Sequence, residues 1–282
     1  MKTLKFVTFT LFGFLGFIYL LIIIYVYLCQ GEMVFNASKL PRDYNFEFEG
    51  DFEEIVIPSS DSIKLHGILF KVEESKGLLF YLHGNSGGLD TWGDIASNYN
   101  NLGYDIFILD YRGFGKSEGV IENEGHVYKD VLFAYQKMLS RYHEDKIIVI
   151  GYSIGTGPAV YLSSISNPKS LILQSPYYNF LEYSDSRVPF VPDFLKKFKF
   201  ETNKFITKVK APIYIFHGEL DRIIPISNSV RLSKLLKPTD HFYVLKDQGH
   251  IGMNENVEYI SELSRILSKQ YDNNLRLQND EK

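Results

Sequence analysis

The chain has 282 residues, of which 45% are hydrophobic and 23% are charged. This composition is typical of a globular protein with one large domain or two small ones. The formal net charge of −4 gives no sign of the basic surface on which nucleic-acid binding depends, so we expect no nucleic-acid partner. The single cysteine, Cys29, excludes an internal disulfide and a zinc site built from cysteines.

The chain opens with an apolar segment. No charged residue occurs from Phe6 to Leu28, and about 20 apolar residues are enough to cross a bilayer. We therefore predict an uncleaved transmembrane anchor over residues 1–30 and a connecting segment over residues 31–53. A cleaved signal peptide is the alternative, but its apolar region is normally about 7 to 15 residues long and ends in small residues. Here the apolar run closes with the bulky sequence YVYLCQ.

The charges beside this apolar segment predict its orientation. Lys2 and Lys5 precede it, and the residues that follow it hold more acidic than basic side chains. The positive-inside rule then places the N-terminus in the cytoplasm and the rest of the chain in the periplasm, a lumen or the extracellular space.

The predicted elements then alternate between strands and helices. Residues 55–58 and 63–72 flank a turn rich in Ser and Asp, which predicts an antiparallel hairpin. Runs that are apolar on both faces predict the strands of a buried parallel sheet: GLLFYLHG, DIFILDYRG, KIIVIGYS, SLILQSP, APIYIFHG and HFYVLKD. Helical spacing predicts helices over residues 91–101, 124–142, 153–164, 226–236 and 254–270.

This alternation predicts one α/β domain over residues 54–272, with a mostly parallel central sheet and helices on both faces. Residues 176–210 interrupt it with many aromatic residues and a basic cluster of Lys196, Lys197 and Lys199. We interpret this insertion as a lid whose lysines meet anionic lipid head groups. Residues 273–282 form a polar C-terminal tail.

The sequence GYSIG at residues 151–155 joins a predicted strand to a predicted helix. The pattern G-x-S-x-G predicts a nucleophile elbow, a sharp turn that exposes a serine beyond the carboxyl end of a strand. Ser153 is therefore the predicted nucleophile. In the alternative interpretation the glycines only let the helix pack closely on the sheet, and Ser153 is its N-cap.

A serine hydroxyl needs a base within hydrogen-bond reach and an acid that holds the base. His250 follows the last predicted strand and is the predicted base, and Asp221 follows the strand before it and is the predicted acid. Glu219 and Asp247 are rival acids. The order serine, acid, histidine is the one expected with an elbow of this type.

Backbone amides near the elbow are candidates for an oxyanion hole, which needs donors fixed where negative charge develops. We predict the amides of Ile154, directly after the nucleophile, and of Asn85 in the loop HGNSGG. His83 in the same loop is interpreted as a residue that shapes the turn. His241 opens a strand and is interpreted as structural.

Two further patterns do not predict binding sites. GFGKS at residues 113–117 resembles a phosphate-binding loop, but Asp110 stands where that loop requires glycine. The seven histidines contain no H-E-x-x-H motif and no cluster with metal-ligand spacing. We therefore expect no metal and no cofactor.

Five motifs in order, HGNSG, DYRGFGKSEG, GYSIGTGPAV, HGELDRIIP and GH, resemble those of the α/β-hydrolase superfamily. The apolar N-terminus followed by MVFNASKLPRDYNFEF resembles the membrane-anchored Bem46-like group of serine hydrolases, and the resemblance covers nearly the whole chain. It implies an α/β-hydrolase fold with a short lid over the serine. It also implies the roles assigned above to the site residues, listed as Ser153, Asp221, His250, Asn85 and Ile154, and a loop-shaping role for Asp110 and Arg112.

We therefore expect a membrane-anchored serine hydrolase that cleaves an acyl ester or thioester through an acyl-serine intermediate, with lipid-like substrates favoured. A peptidase or amidase of the same fold is one alternative. A binding protein that keeps the fold without the chemistry is another. The expected partners are a small acyl substrate and a membrane, and the sequence predicts no particular oligomeric state.

Overall fold

An eight-stranded sheet forms the centre of the computed structural model, which describes residues 2–59 and 62–280. Its strands run in chain order as β1 Asp51–Pro58, β2 Lys64–Lys71, β3 Leu78–Leu82, β4 Asp105–Asp110, β5 Ile147–Tyr152, β6 Ser170–Gln174, β7 Ile213–Gly218 and β8 His241–Leu245. The spatial order is β1-β2-β4-β3-β5-β6-β7-β8. Strands β1 and β2 pair antiparallel, as do β2 and β4, and the other neighbours are parallel. The predicted hairpin and the mostly parallel sheet are therefore confirmed, although residues 60 and 61 of the hairpin turn lie outside the described residues.

The central strands are buried along their whole length. Every residue of β3, β4, β5 and β6 is buried, as expected for strands covered by helices on both faces. Their continuous apolar runs follow from this position. The carboxyl ends of the parallel strands consequently meet at one edge, where the loops carry the predicted site residues.

The helices, in chain order, are α1 Lys2–Val34, α2 Leu89–Trp92, α3 Ala96–Asn100, α4 Glu124–Leu139, α5 Thr156–Ile165, α6 Phe180–Asp185, α7 Thr202–Phe205, α8 Ser227–Ser233 and α9 Val257–Asp280. The helix predicted over residues 91–101 is broken into α2, a 3₁₀ turn and α3. Gly93 stands at the break, with the ring of Phe48 packed where a side chain would project, and glycine weakens a continuous helix. Helix α9 continues to Asp280 and so includes most of the predicted tail, of which residues 281 and 282 lie outside the described residues.

Helix α1 differs from the other helices in its exposure. Within the described residues, the stretch Thr3–Val34 is long and apolar enough to cross a membrane, and an 18-residue window of it has a mean hydropathy of 2.5. Only 6% of that window is buried against the rest of the protein. A core helix of a soluble domain would be covered, so α1 is not such a helix.

The connecting segment after α1 packs on the domain rather than bridging open space. Residues Asn36–Ala37 pair in parallel with Ser86–Gly87, which belong to the predicted oxyanion loop. Farther on, the ring of Phe46 stacks on His66 of β2 at a centroid distance of 5.7 Å. Strand β1 then begins at Asp51.

Candidate active site

Strand β5 ends at Tyr152, and a 3₁₀ turn over Ser153–Gly155 leads into α5. Ser153 has a φ of +54°, a left-handed conformation that costs free energy in a residue with a side chain. A Cβ atom at Gly151 would lie 2.7 Å from the Cβ of Ala159, and one at Gly155 would overlap the carbonyl oxygen of Leu82. Glycine is therefore required at both positions by the close approach of α5 to the sheet, and the resulting turn has the geometry of a nucleophile elbow.

The hydroxyl of Ser153 contacts a histidine and does not cap the N-terminus of α5. Ser153 Oγ lies 3.0 Å from Nε2 of His250, and Nδ1 of His250 lies 2.7 Å from Oδ2 of Asp221. No side-chain cap occurs at the start of α5, so the N-cap interpretation of Ser153 finds no support. The structure thus brings the three predicted side chains together in one hydrogen-bonded array.

Asp221 is buried and accepts several hydrogen bonds. Its Oδ1 accepts the backbone N–H groups of Ile223 and Ile224 at 2.9 and 2.8 Å. Burial alone would raise the pKa of this carboxyl, but hydrogen bonds from His217, His250 and Ile224 outweigh it and hold the pKa well below its usual range. Asp221 therefore remains a carboxylate that fixes the orientation of His250.

The rival residues lie outside this array. Glu219 and Asp247 are exposed, and the carboxylate bonded to His250 is that of Asp221. His241 is exposed on the edge strand β8, where its ring stacks on Tyr214 at 5.5 Å. The geometry therefore favours Asp221 over both rival acids, and the structural role of His241 stays a prediction.

His217 supports Asp221, and the sequence reasoning missed it. Its Nε2 lies 3.3 Å from Oδ2 of Asp221 and 2.8 Å from the carbonyl oxygen of Ile224. Because a carbonyl only accepts, Nε2 donates to it, and Nδ1 lies 2.7 Å from the hydroxyl oxygen of Ser229. The signal in the sequence is the histidine of HGELD, four residues before the acid at the end of a buried strand.

Tyr152 holds the loop that carries the histidine. Its hydroxyl donates to the carbonyl oxygen of His250 at 2.7 Å. Burial raises the pKa of Tyr152, so the hydroxyl stays protonated as a donor. Gln248 stabilises the same loop from within by donating to the carbonyl of Ile251 at 2.7 Å, and it accepts from Asn256 at 2.7 Å. The backbone of His250 is therefore fixed on two sides.

The connecting segment holds the predicted oxyanion loop. The carbonyl of Asn85 accepts the backbone N–H of Asn36 at 2.7 Å, and the N–H of Ser38 donates to the carbonyl of Gly87 at 3.1 Å. Asn85 and Ile154 both line the cavity above Ser153. Their donation to an oxyanion stays a prediction.

His83 and Arg112 lie in buried contacts behind the site. The ring of His83 is fully buried, and its Nδ1 lies 2.7 Å from the carbonyl oxygen of Gly84. Arg112 makes a buried two-point ion pair with Asp130 at 2.5 and 2.7 Å. These buried contacts support the loop-shaping roles predicted for both residues, which stay predictions. Among the described residues, no group of three or more histidine, cysteine or acidic side chains is placed to hold a metal ion.

A cavity of about 370 Å³ opens above the serine. Apart from the site residues, its lining comes from the end of α1, from the lid and from the loop after Asp221, and these residues are Met33, Val34, Tyr177, Phe180, Tyr183, Ser184, Arg187, Val188, Ile223 and Ile224. Most of these side chains are apolar. Arg187 supplies a cationic group, and its guanidinium donates to the carbonyl of Ile223 at 3.3 Å.

Two lysines of the lid cluster contact other groups of the protein, in contrast to the predicted contact with lipid head groups. The side chain of Lys196 is only 5% exposed and is paired with Asp185 and Asp193. The ammonium of Lys197 lies over the ring of Tyr27 of α1, 4.2 Å from its centroid. The prediction that the cluster meets lipid head groups is therefore wrong for Lys196, because neighbouring carboxylates neutralise it inside the lid.

Comparison with known proteins identifies the family. The family model for serine aminopeptidases, S33, matches residues 73–207. The alpha/beta hydrolase domain-containing protein 17B of Homo sapiens is 31% identical over 206 residues, which cover 70% of this chain and 68% of that protein. The chain belongs to the α/β-hydrolase family. The resemblance to the α/β-hydrolase superfamily seen in the sequence is thereby confirmed.

Two further similarities are to a longer relative and to a solved structure. Lysophosphatidylserine lipase ABHD12 of Macaca fascicularis is 30% identical over 221 residues, which cover 68% of this chain. The match covers 55% of that relative, so this α/β-hydrolase spans about half of the relative's length. The crystal structure of esterase Pf2001 of Pyrococcus furiosus superposes with a TM-score of 0.67 at 18% identity, over 84% of this chain and 98% of that one. At that identity the likeness supports the fold alone, and the predicted fold class is confirmed.

Proposed function

We propose that this α/β-hydrolase is a membrane-anchored acyl hydrolase that cleaves an ester or thioester of a lipid-like substrate through an acyl-serine intermediate. The observation that carries the proposal is the hydrogen-bonded array of Ser153, His250 and Asp221 at the floor of an apolar cavity. One wall of this cavity comes from the apolar helix α1, through Met33 and Val34. The site therefore combines an activated serine with a surface suited to an acyl chain.

The reaction follows from the positions of these atoms. Ser153 Oγ attacks the acyl carbonyl carbon while Nε2 of His250 takes the hydroxyl proton, and Asp221 stabilises the imidazolium that forms. The backbone N–H groups of Ile154 and Asn85 stabilise the oxyanion of the tetrahedral intermediate. His250 then gives its proton to the departing alcohol or thiol, which leaves an acyl-serine. A water molecule, deprotonated by His250, attacks the acyl-serine and releases the carboxylic acid and free Ser153.

The lining of the cavity supports a lipid-like substrate with an anionic part. An apolar lining suits an acyl chain, and Arg187 places one cationic group among these side chains. The relative ABHD12 is named a lysophosphatidylserine lipase, which acts on an anionic monoacyl lipid. We propose monoacyl lipids such as lysophospholipids and monoacylglycerols, together with S-acyl thioesters, as the substrate class.

An aminopeptidase activity, which the name of the family model suggests, has less support. An aminopeptidase must hold the free amino group of its substrate, a task for a carboxylate. Among the described residues that line the cavity none is Asp or Glu, and Arg187 would repel a protonated amine. We therefore expect esters to be cleaved faster than amides of the same acyl group.

Anchoring and orientation are part of the proposal. Helix α1 supports a single span, and Lys5 on its N-terminal side supports a cytoplasmic N-terminus. The full chain should then sediment with membranes and be released only by detergent. Protease added to the extracytoplasmic side should cleave the domain, whereas a soluble mature protein starting near residue 30 would contradict the anchor.

The substrate class is tested with p-nitrophenyl esters of increasing acyl length, measured on the full chain in detergent. Each buried methylene is worth up to about 0.8 kcal/mol, so kcat/KM should rise severalfold for every two carbons until the cavity is filled. The p-nitroanilide of the same acyl group serves as the matched amide substrate. A maximum at acetate or propionate would indicate a small-ester esterase and contradict the proposal.

A further inference from the structure

Helix α1 has one covered face in an otherwise exposed helix. Ile23, Val26 and Gln30 are 8%, 7% and 8% exposed, and their spacing of three and four residues puts them on one side of the helix. Val191 of the lid packs against Ile23 and Val26, with Val188 beside them. The covered face of α1 is therefore the one that meets the lid.

A polar residue fixes this contact. The side-chain amide of Gln30 donates to the carbonyl of Leu195 at 2.8 Å and accepts the N–H of Lys197 at 2.8 Å. Both groups of the amide are thus paired with the lid backbone, which removes the cost of burying them. The hydroxyl of Tyr19 adds a bond to the carbonyl of Phe190 at 2.8 Å. These bonds fix the position of the lid along the axis of α1.

A second, smaller cavity of about 60 Å³ lies between the lid and α1. It shares five lining residues with the cavity above Ser153, and these are Met33, Val34, Phe180, Ser184 and Val188. Its far end is lined by Val26, Val191 and Phe198. The two cavities therefore adjoin along α1, the smaller one on the side away from the serine, and we call the pair the channel.

We propose that α1 is a wall of the acyl-chain site, and that the acyl chain extends from Ser153 between α1 and the lid as far as Val26 and Val191. This inference rests on the proposed function and adds the residues that set acyl length. Val34 and Val26 are eight residues apart, about 12 Å along a helix, which is roughly the length of a ten-carbon chain. Val26 also belongs to the apolar segment predicted to span the bilayer, so the channel ends where lipid tails are available.

The chemistry of the channel agrees with this occupant. Lys196 and Gln30 contribute its charged and amide groups, and both are already paired, with Asp185 and with the lid backbone. The remaining surface of the far end is apolar. A hydrocarbon chain would fill it without leaving a buried polar group unpaired.

The first test fills the far end of the channel. Val26→Trp should shift the preferred acyl length of the full chain towards short esters and lower the dodecanoate-to-butyrate ratio of kcat/KM about tenfold or more. Leu28→Trp is the matched control, because Leu28 lies on the same helix with 69% of its surface exposed. A Val26→Trp profile that coincides with those of the control and the unmodified chain overturns the inference.

The second test needs no variant. A decyl fluorophosphonate with a diazirine at its terminal carbon phosphonylates the active serine as fluoride leaves, and light then crosslinks the end of the chain. Mass spectrometry should find the crosslink on the α1 peptide that holds Val26 or on the lid peptide that holds Val191. Crosslinks on neither peptide overturn the inference. Crosslinks there without hydrolysis of any ester would support the channel and contradict the proposed function.

Discussion

The sheet edge that carries Ser153 and the lid above it are held in different ways. At the edge, Asp221 and His250 are fixed by hydrogen bonds to side chains and backbone, and Asp221 is buried. The lid combines apolar packing against the domain and α1 with hydrogen bonds to its backbone from residues such as Gln30 and Glu124. In our proposal the edge determines the chemistry, and the contact between the lid and α1 determines which acyl group reaches it.

Removing the reacting groups at the edge should have the largest effect. Ser153→Ala and His250→Ala should each lower kcat/KM by about 10³-fold or more with the fold intact, because triad members act as a unit. The double variant should be no worse than either single one. Ester hydrolysis and circular dichroism measure this, with His241→Ala as the matched histidine control. Loss of turnover in the control but not in His250→Ala would mean that the other histidine is the base.

A positioning residue at the edge should have a smaller effect. Tyr152→Phe removes the hydroxyl that holds the carbonyl of His250, so we expect kcat to fall about tenfold, with KM nearly unchanged. Tyr142→Phe is the matched control, because the hydroxyl of Tyr142 donates to Asp105 at the opposite end of the sheet. Equal kcat values in the two variants would show that the tyrosine at the elbow does not position the histidine.

The lid should influence the choice of substrate more than the rate of reaction. Arg187→Gln should raise KM about fivefold for an anionic lysophospholipid and leave a neutral monoacylglycerol unaffected, as expected for a partly exposed ion pair. Arg231→Gln is the control, since Arg231 pairs with Glu182 at 2.7 Å and does not line the cavity. An equal change for both lipids would assign Arg187 a structural role.

The dependence of folding stability on acid pH tests Asp221 at the sheet edge, separately from the lid. The pKa of Asp221 is lower in the folded protein than the ordinary value of about 3.9. Its contribution to the free energy of unfolding is therefore present above about pH 4 and is lost as the pH falls below that value. Urea unfolding should show a shallower decline between about pH 5 and 3 for Asp221→Asn than for the unmodified chain. Parallel declines would contradict the lowered pKa.

The sheet and the site at its edge could be predicted because their signals are local. Continuous apolar runs mark buried strands, and Gly151 and Gly155 mark a turn that other residues cannot form. Ser153, Asp221 and His250 each follow the carboxyl end of a different strand, which explains their order in the chain. All of these signals lie within a few residues of the feature that they predict.

The contacts of the lid and the connecting segment could not be predicted, because they join distant parts of the chain. Gln30 reads as the polar end of an apolar segment, yet it pairs with residues 195 and 197. Lys196 reads as a surface charge, yet it is buried against Asp185 and Asp193. Asn36 reads as part of a linker, yet it bonds to the oxyanion loop at Asn85. Sequence spacing carries no information about such pairs.

Labelling with a fluorophosphonate is a direct test of whether Ser153 is a nucleophile activated by His250. The folded full chain is treated with the probe, and the modified peptide is identified by mass spectrometry. We expect one adduct on Ser153, formed far more slowly in His250→Ala and absent after denaturation before labelling. A folded protein whose Ser153 remains unmodified would show that Ser153 is not an activated nucleophile.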